Sequence, residues 1–373
     1  MPRGWFRRRT PTLSVVVPVY NVADYLLASL DSVLAQGVPG VELVVVDDGS
    51  TDGSAELARA YAASHREVTL LEQPNSGVSI ARNRALEACT GEFLTFVDPD
   101  DVLPQGAWAS MLATLRRTGS DFVVGSACRL RTTADGERRM VPPLMERNHR
   151  QERLGIRIED QPLMLADVFV WNKIFRRSWW ERAAIRFPER TRYQDQVALT
   201  EAFLAADAFD VLTEIVYEWR FRPDLSSATQ KRGQLTNLRE RVTTKQMTLD
   251  RVRAHGGAEL LATLLHEILP IDMWEHFRAA VAPTTPEPEE YWQVLREGML
   301  AIWPPEQPFW STAVPVQQRL MGWLVAQDRR DDLARLVALI DGPGLTRDGD
   351  RLLHPWVDDP ALPAELQPGV RPA

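Results

Sequence analysis

The chain has 373 residues, of which 45% are hydrophobic and 25% are charged, so it is long enough for one large globular domain and an additional region. Its formal net charge of −8 argues against a nucleic-acid partner. Only two cysteines occur, Cys89 and Cys128, which excludes a disulfide framework and a cysteine-based metal site and favours a reducing compartment.

The N-terminus, residues 1–12, contains a basic and aromatic segment from Arg3 to Arg9. Such a segment is compatible with a flexible, disordered end and, alternatively, with peripheral contact at an anionic membrane surface. The chain has no apolar run of the roughly 18 to 20 residues that a membrane span requires, and its start lacks the apolar core of a signal peptide. We therefore expect a cytoplasmic protein, with peripheral contact at the inner face of the membrane as the alternative.

From residue 13 onward, apolar strands alternate with helical patterns. The predicted strands run from Leu13 to Val19, Val41 to Val46, Val68 to Leu71 and Phe93 to Val97. Nearly continuous apolar strands are typical of a parallel sheet that is buried on both faces, with right-handed crossovers between the strands. Ligands bind outside the carboxyl ends of such strands, and a polar cluster follows each of these four. We therefore predict an α/β fold with a ligand site at that edge.

The fourth strand leads into Asp98-Pro99-Asp100-Asp101, which contains the D-x-D pair Asp98 and Asp100. Two carboxylates one residue apart can hold Mg²⁺ or Mn²⁺ against a diphosphate, because these cations prefer carboxylate, water and phosphate oxygens. The cation then neutralises the charge that develops on a departing nucleotide. A D-x-D pair alone also occurs in ordinary surface turns, so its interpretation depends on the motifs around it.

Four motifs, in this order and spacing, resemble glycosyltransferase family 2, whose members have the GT-A fold: VVVPVYN, VVVDDGSTDGS, NSGVSIARNRAL and FLTFVDPDD. The resemblance is strong over the first third of the chain and continues more weakly to about Thr229. It implies a Rossmann-like, mostly parallel sheet flanked by helices, and transfer of a sugar from a nucleotide-sugar, in particular a UDP-sugar. It also implies Mn²⁺ or Mg²⁺ as the cofactor.

The resemblance implies a role for each motif. Residues 18–21 would shape the nucleobase pocket, and Asp47 or Asp48 would accept a hydrogen bond from the base or ribose. Asp98 would face the ribose and the metal shell, while Asp100 would coordinate the cation. The residues expected to bind the nucleotide-sugar are Pro18, Tyr20, Asn21, Asp47, Asp48, Asn75, Arg82 and Asp98.

The residue chemistry agrees with this assignment but leaves alternatives. A carboxylate suits uracil N3–H or ribose hydroxyls, and Gly49 lets the backbone approach a ligand closely. Residues 47–50 could instead form a plain turn followed by a helix cap. Arg82 and Asn83 could lie on a solvated helix face.

The region from Asp121 to about Thr229 is predicted to complete the catalytic domain. It begins with another strand, from Phe122 to Ser126. Residues 131–153 are polar and charged, and they are predicted to form a loop or irregular hairpin over the acceptor side. Further on, the chain resembles family members in which an N-K-x-F stretch precedes an x-D-Q motif, and Asp195 takes the position of their catalytic base.

An inverting transfer needs one carboxylate that takes the proton from the acceptor hydroxyl, on the face opposite the leaving diphosphate. Asp195 fits that need, although it could instead be a helix N-cap if Gln196 opens the helix. Glu189 is the next candidate for the base. Lys173 either pairs with a buried carboxylate or reaches the acceptor, and Trp171 is either a core residue or a sugar-stacking platform.

One departure from the family concerns the metal. Several relatives supply a late histidine to it, but no histidine occurs between His149 and His255 here. The corresponding stretch holds Arg220 and Arg222 instead. Either water completes the metal shell, or these arginines take over part of the diphosphate charge.

From about residue 230 the character of the sequence changes. A heptad spacing from Leu235 to Val252, broken by Lys245, predicts a helix that packs onto the parent domain or makes a homo-oligomer contact. Residues 283–373 hold 13 of the 26 prolines, which predicts short helices joined by rigid turns. We therefore expect a GT-A catalytic domain over residues 13–229 and a mainly helical, Trp- and Pro-rich region over residues 230–373 for acceptor recognition or assembly.

The sequence thus predicts an inverting glycosyltransferase that uses a nucleotide-sugar donor. Its acceptor would be a bacterial cell-surface polysaccharide, a teichoic-acid-like polymer or a lipid-linked precursor. One alternative is a non-catalytic GT-A-like binding or scaffold module, which the intact set Asp48, Asp98, Asp100 and Asp195 disfavours. Another is a sugar nucleotidyltransferase, disfavoured because no Gly-rich loop bearing Arg and Lys follows the first strand.

Overall fold

The computed structural model of the chain describes residues 12–133, 136–221, 233–345, 347–348 and 351–367. It divides into two compact units, Met1–Asp224 and Leu225–Ala373. The predicted domain boundary between residues 229 and 230 lies outside the described residues, as does most of the predicted flexible N-terminus.

Unit 1 is built around one mixed sheet. Its strands are β1 (Leu13–Val19), β2 (Val41–Asp47), β3 (Val68–Glu72), β4 (Phe93–Phe96), β5 (Phe122–Thr133), β6 (Gly136–Met140), β7 (Arg153–Ile156), β8 (Lys173–Arg176) and β9 (Phe209–Arg220). Across the described residues the order is β3-β2-β1-β4-β8-β5-β9-β7, with β6 attached to β5. Strands β1 to β4 pair in parallel, as do β5 and β9, whereas β8 is antiparallel to both of its neighbours. The predicted mostly parallel sheet is confirmed.

Helices cover this sheet. They are α1 (Ala23–Leu34), α2 (Ser54–Ser64), α3 (Val78–Ala88), α4 (Ala107–Thr118), α5 (Pro143–Asn148), α6 (Arg177–Arg182) and α7 (Gln194–Ala205). All seven residues of β1 and the last five of β2 are buried, because apolar layers lie on both faces of the sheet. Helix α1 buries Leu26, Leu30 and Val33, the stripe that its helical period indicates.

The region after β5 follows the hairpin alternative of the prediction, but with regular strand pairing. Strand β5 extends to Thr133, seven residues past the predicted end at Ser126, because it pairs with both β9 and β6. Residues 131–153 therefore contain a regular β5–β6 hairpin followed by α5. Every residue of β6 is exposed, so this strand carries no apolar signal in the sequence.

Unit 2 is mainly helical, as predicted. It comprises α8 (Leu235–His255), α9 (Ala258–Thr263), a π-helical turn (Leu264–Ile268), α10 (Met273–Ala279), α11 (Pro288–Ile302), α12 (Val316–Ala326), α13 (Arg330–Asp341), and the short strands β10 (Arg347–Asp348) and β11 (Arg351–Leu352). The heptad face of α8 packs against α11 within this unit. Gly298 of α11 lies so close to Val242 that a Cβ added there would be 2.7 Å from the Val242 methyl groups. Packing within unit 2 therefore uses part of the heptad face, and the homo-oligomer contact stays a prediction.

Lys245, the residue that breaks the heptad, is buried and forms an ion pair with Asp272 at 2.7 Å. Of the six tryptophans in unit 2, Trp292, Trp303, Trp323 and Trp356 are buried, so most of them serve packing. None of the described helices combines the length and the hydropathy that a bilayer crossing requires.

Candidate active site at the carboxyl ends of the parallel strands

The segments that follow β1 and β2 are tied to each other. The backbone N–H of Thr51 donates to Asn21 Oδ1 at 2.8 Å, and the backbone N–H of Asn21 donates to Ser50 Oγ at 3.1 Å. Asn21 has φ 50°, a left-handed conformation that asparagine tolerates. Tyr20 beside it is 46% exposed, whereas Pro18 is buried within β1. Tyr20 and Asn21 therefore lie at the edge predicted to hold the nucleobase, and Pro18 supports that edge from inside the sheet.

The two aspartates after β2 have different contacts. Asp47 Oδ2 accepts hydrogen bonds from the backbone N–H groups of Gly49 and Ser50, both at 3.2 Å, so that Asp47 closes the turn. Asp48 instead accepts from Gln73 Nε2 at 2.7 Å and from the backbone N–H groups of Ser76 and Gly77, both at 2.8 Å. Asp48 therefore holds the loop that follows β3.

Gly49 brings this turn close to the same loop. Its φ of +74° favours glycine, and a Cβ at this position would lie 2.7 Å from the backbone nitrogen of Asn75. Asn75 itself is exposed at the tip of the loop. Gly49 and Asp48 thus position the loop that carries Asn75, the residue predicted to contact the donor.

Arg82 of α3 joins the D-x-D segment to the predicted base. Its Nη2 donates to Asp98 Oδ1 at 2.8 Å and its Nη1 donates to Asp195 Oδ1 at 2.5 Å. The Arg82 side chain is only 3% exposed, and its guanidinium lies 5.2 Å from the ring centre of Phe187. The alternative of a solvated helix face is therefore wrong for Arg82, which binds two carboxylates from distant parts of the sequence.

Asp195 lies in the first turn of α7. The helix begins at Gln194, and the residue at its N-cap position is Tyr193, with a left-handed φ of 60°. The N-cap alternative for Asp195 is therefore wrong: the helix starts two residues earlier than Gln196. The carboxylate points from the first turn to Arg82 rather than back to the helix end.

The environment of Asp195 alters its acidity. Burial raises the pKa of Asp195 to about 6, and the negative charge of Asp98 adds to this, while Arg82 and Lys173 work in the opposite direction. A carboxyl group with this pKa is still ionised at neutral pH but accepts a proton more readily than an ordinary aspartate. These are the properties that general-base chemistry requires.

The segment that leads into α7 is fixed to α3 by Asn83. Its Nδ2 donates to the carbonyl oxygen of Phe187 at 2.9 Å, and the backbone N–H of Phe187 donates to Asn83 Oδ1 at 3.0 Å. Adjacent residues of α3 therefore have complementary contacts: Asn83 anchors the approach to α7, and Arg82 binds the carboxylate that α7 presents.

Two further residues complete this cluster, and the sequence analysis did not single them out. Asp101 is 1% exposed, and its Oδ1 accepts from the backbone N–H of Arg220 at 2.7 Å. The buried Tyr217 hydroxyl accepts from the backbone N–H of Asp98 at 3.0 Å. The third carboxylate of the Asp98–Asp101 run was the available signal for Asp101, whereas no sequence motif indicated Tyr217.

The carboxylates of this run are suited to a divalent cation. Burial, and then the negative charges of Asp100 and Asp98, raise the pKa of Asp101 well above its usual range, and a nearby cation would relieve this repulsion. Among the described residues, no group of three His, Cys, Asp or Glu side chains forms a complete metal cage. Asp98 and Asp100 nevertheless fit Mg²⁺ or Mn²⁺, because Mg²⁺ is typically bound through one or two carboxylates, with substrate phosphates and water as its other ligands.

Lys173 takes the first of its two predicted roles. Its Nζ is fully buried and donates to Asp167 Oδ1 at 2.7 Å, to Asn172 Oδ1 at 2.8 Å, and to the backbone carbonyls of Asp167 and Phe169. Burial alone would raise the pKa of Asp167, but Lys173 and His149 outweigh it and lower that pKa to about 2. The three N–H groups of Lys173 are thus engaged inside the protein, away from an acceptor.

The other predicted acceptor or diphosphate residues differ in position. Trp171 is 5% exposed and stacks on Tyr217 with ring centres 4.1 Å apart, in agreement with the core interpretation. The Arg220 guanidinium lies 5.3 Å from the ring centre of Tyr25. Arg222 lies outside the described residues.

The chain is similar to known glycosyltransferases. Residues 14–181 match the family model described as Glycosyl transferase family 2. The chain is 29% identical over 225 residues to the uncharacterized glycosyltransferase EpsJ of Bacillus subtilis, over 57% of this chain and 62% of that protein. It is 44% identical over 92 residues to the uncharacterized glycosyltransferase YibD of Escherichia coli, over 25% and 27% of the two chains. The match to EpsJ thus spans just under two thirds of that relative.

The fold also has a solved counterpart. S. aureus TarS 1–349, crystallised in complex with UDP-GlcNAc, superposes with a TM-score of 0.69 at 20% identity, over 91% of this chain and 95% of that chain. At this identity the likeness concerns the fold. Residues 14–181, just under half of the chain, therefore match glycosyltransferase family 2, and the chain has the GT-A fold.

Proposed function

We propose that this protein is an inverting glycosyltransferase that moves a sugar from a nucleotide-sugar to a hydroxyl group of a glycan or polymer. The observation that carries this proposal is the bridge through the buried Arg82, which brings the partly exposed carboxylates of Asp195 and Asp98 together. A D-x-D segment and a carboxylate with raised proton affinity are the two parts that the reaction needs side by side.

The proposed donor is a UDP-sugar. TarS, which shares the fold, has been crystallised with UDP-GlcNAc and with UDP. In this chain Tyr20, Asn21 and Asn75 surround the place expected for the base and ribose, and Asp48 fixes the loop that carries Asn75. Asp98 would contact the ribose and the metal shell. Whether the sugar is a hexose or an N-acetylhexosamine depends on residues that contact the donor sugar itself.

In the proposed reaction Asp195 removes the proton from the acceptor hydroxyl as its oxygen attacks the anomeric carbon. A bond between that oxygen and the anomeric carbon forms, and the bond to the diphosphate breaks on the opposite face, which inverts the configuration. Arg82 holds the Asp195 carboxylate in place during this step. A Mn²⁺ or Mg²⁺ ion held by Asp98 and Asp100 would supply neutralisation of the charge on the leaving diphosphate.

The proposed acceptor is a cell-surface polysaccharide, a teichoic-acid-like polymer or a lipid-linked precursor. Over 92 residues the chain is 39% identical to the putative teichuronic acid biosynthesis glycosyltransferase TuaG of Bacillus subtilis, which supports a polymer of the bacterial envelope. We assign unit 2 to acceptor recognition or assembly, since the donor motifs all lie in unit 1.

A nucleotide panel tests the proposal. UDP should raise the melting temperature of the protein in the presence of Mn²⁺, and UDP-sugars should be converted with release of UDP. A scaffold module would bind UDP-sugars without releasing UDP. A sugar nucleotidyltransferase would instead release pyrophosphate from a nucleoside triphosphate and a sugar phosphate. Absence of any nucleotide effect would refute the donor site.

A further inference from the structure

Strands β5 and β9 continue side by side beyond the cluster at Asp98. Ala127 lies opposite Tyr217, and Arg129 lies opposite Trp219. Because alternate residues of a strand share one face, the side chains of Tyr217 and Trp219 follow each other along the same face of the sheet. Tyr217 contacts the backbone of Asp98, so this face leads directly away from the predicted donor site.

Two arginines of β5 lie along this face, and each of them stacks on an aromatic ring. The guanidinium of Arg129 lies 4.8 Å from the ring centre of Trp219, and that of Arg131 lies 4.5 Å from the ring centre of Phe221. Both arginines are exposed. We call Arg129, Arg131, Trp219 and Phe221 the arginine–aromatic track.

Stacking prepares these arginines for an anion. A guanidinium on a ring uses its flat face, which leaves the N–H groups at its edge to donate to a phosphate or carboxylate. Arg139 on the neighbouring β6 is already neutralised by Glu218 and Glu137, at 2.6 Å and 3.2 Å. Among the described residues neither Arg129 nor Arg131 has such an ion pair. The track therefore presents uncompensated positive charge on a protein whose net charge is −8.

A pocket lies beside the track. It has a volume of about 150 Å³ and an apolar lining that includes Phe169, Trp171, Trp219 and Met145. A cavity of this size accommodates one six-membered ring. Three of its nine lining residues are aromatic, and two of them, Phe169 and Trp171, stack with ring centres 4.7 Å apart. Aromatic rings of this kind offer flat apolar faces to a sugar ring.

We propose that the arginine–aromatic track binds the acceptor, and that the acceptor is an anionic glycan or glycan-like polymer with phosphate or carboxylate groups in its repeat. This inference rests on the proposed function and adds the charge of the acceptor. Arg129 and Arg131 are two residues apart on one strand, roughly 6.7 Å, so they contact successive anionic groups of one chain. One sugar ring of the same chain occupies the pocket, and the hydroxyl to be modified lies further along the chain, at Asp195.

Equilibrium binding without any donor tests this surface. The probes are poly(glycerol phosphate), polygalacturonate and neutral dextran, each added to the full-length wild-type protein. The double variant Arg129→Gln/Arg131→Gln should bind the preferred polyanion about tenfold more weakly, because two charge-assisted contacts are lost. The control is Arg66→Gln/Arg117→Gln, which removes two exposed arginines elsewhere on unit 1 and should leave the affinity unchanged.

The two polyanions separate phosphate from carboxylate as the recognised group. Equal affinity of the wild type and the Arg129→Gln/Arg131→Gln variant would overturn the proposal, as would dextran binding as tight as that of the polyanions. Tighter binding of a single-stranded oligonucleotide through the same arginines would overturn the glycan assignment. UDP affinity should be the same in the wild type and both double variants. If the wild type binds the polyanion but no UDP, the proposed function is refuted, while the assignment of the track as an anion-binding surface is supported.

Discussion

Replacement of Asp195 by asparagine separates the catalytic role of this residue from its structural one. The asparagine would keep the size of the side chain and one oxygen that accepts from Arg82, but an amide does not take up a proton at neutral pH. We expect Asp195→Asn to lower kcat by a factor of about 10² to 10⁴, the usual contribution of a general base. UDP affinity should stay close to that of the wild type, since the hydrogen-bond partner of Asp195 among the described residues is Arg82, not a residue at the predicted base or ribose position.

The raised pKa also fixes how stability should depend on pH. A shift from 3.8 to about 6 means that ionised Asp195 costs the folded protein roughly 3 kcal/mol, at 1.36 kcal/mol per pKa unit. The pKa of Asp195 is higher in the folded than in the unfolded protein, so the protonated carboxyl group is the form that the fold favours. Its contribution to stability is complete below about pH 3.8 and is lost as the pH rises through 6. Asparagine does not ionise, so the variant does not lose stability in this way. Its free energy of unfolding should therefore increase relative to that of the wild type between about pH 4 and pH 7.

The assay is the rate of UDP release, with Mn²⁺, from the UDP-sugar that the nucleotide panel identifies. It is measured from about pH 5 to pH 8 beside UDP affinity and urea unfolding. The wild-type rate should rise about tenfold per pH unit below pH 6 and level off above it, because the base must be ionised. Glu189→Gln is the matched control, since Glu189 is exposed and was the next candidate for the base. A near-normal rate in Asp195→Asn, or a large loss in Glu189→Gln, would refute the assignment.

Three further substitutions test the surrounding contacts. Arg82→Met leaves the carboxylates of Asp98 and Asp195 without their counter-charge, so the acid limb of the pH–rate profile should move above about pH 6. Arg82→Lys should partly restore the wild-type profile. An unchanged acid limb in Arg82→Met would contradict the bridge. Asp48→Ala should weaken UDP binding with and without EDTA, because the loop after β3 loses its hydrogen bonds to Asp48. Asp100→Ala should remove only the metal-dependent part of the UDP affinity. Wild-type UDP affinity in Asp48→Ala would contradict the first expectation. Lys173→Met should lower the free energy of unfolding by about 3–5 kcal/mol in urea, because the Asp167 carboxylate stays buried without the charge of Lys173. Unchanged stability with weaker acceptor binding would restore the acceptor role.

Much of the donor half of the fold could be predicted from the sequence. The bounds of β1 are those predicted, and β2 and β3 extend only one residue further, because these strands are apolar over most of their length and pack within the sheet. The D-x-D segment follows β4, whose predicted end was one residue too late. Strand periodicity and turn residues are local properties, so they are readable without tertiary structure.

Other features depend on tertiary packing and were not predictable. The bridge from Arg82 to Asp195 forms because Asn83 fixes the approach to α7, a contact that no local pattern encodes. The start of α7 was placed too late, because Tyr193 adopts a left-handed conformation that its residue type does not suggest. Strand β6 has no signal of its own in the sequence, because all its residues are exposed and its pairing with β5 defines it.

The configuration of the sugar released from an α-linked UDP-sugar, the one that the nucleotide panel identifies, tests the central claim most directly. Proton NMR spectra recorded in the first minutes, before the free sugar equilibrates, distinguish the two anomers. A single carboxylate base opposite the leaving diphosphate predicts that the β-anomer appears first with the wild type and that Asp195→Asn releases neither anomer at a comparable rate. Initial release of the α-anomer, or equal release by wild type and variant, would contradict an inverting transferase in which Asp195 is the base.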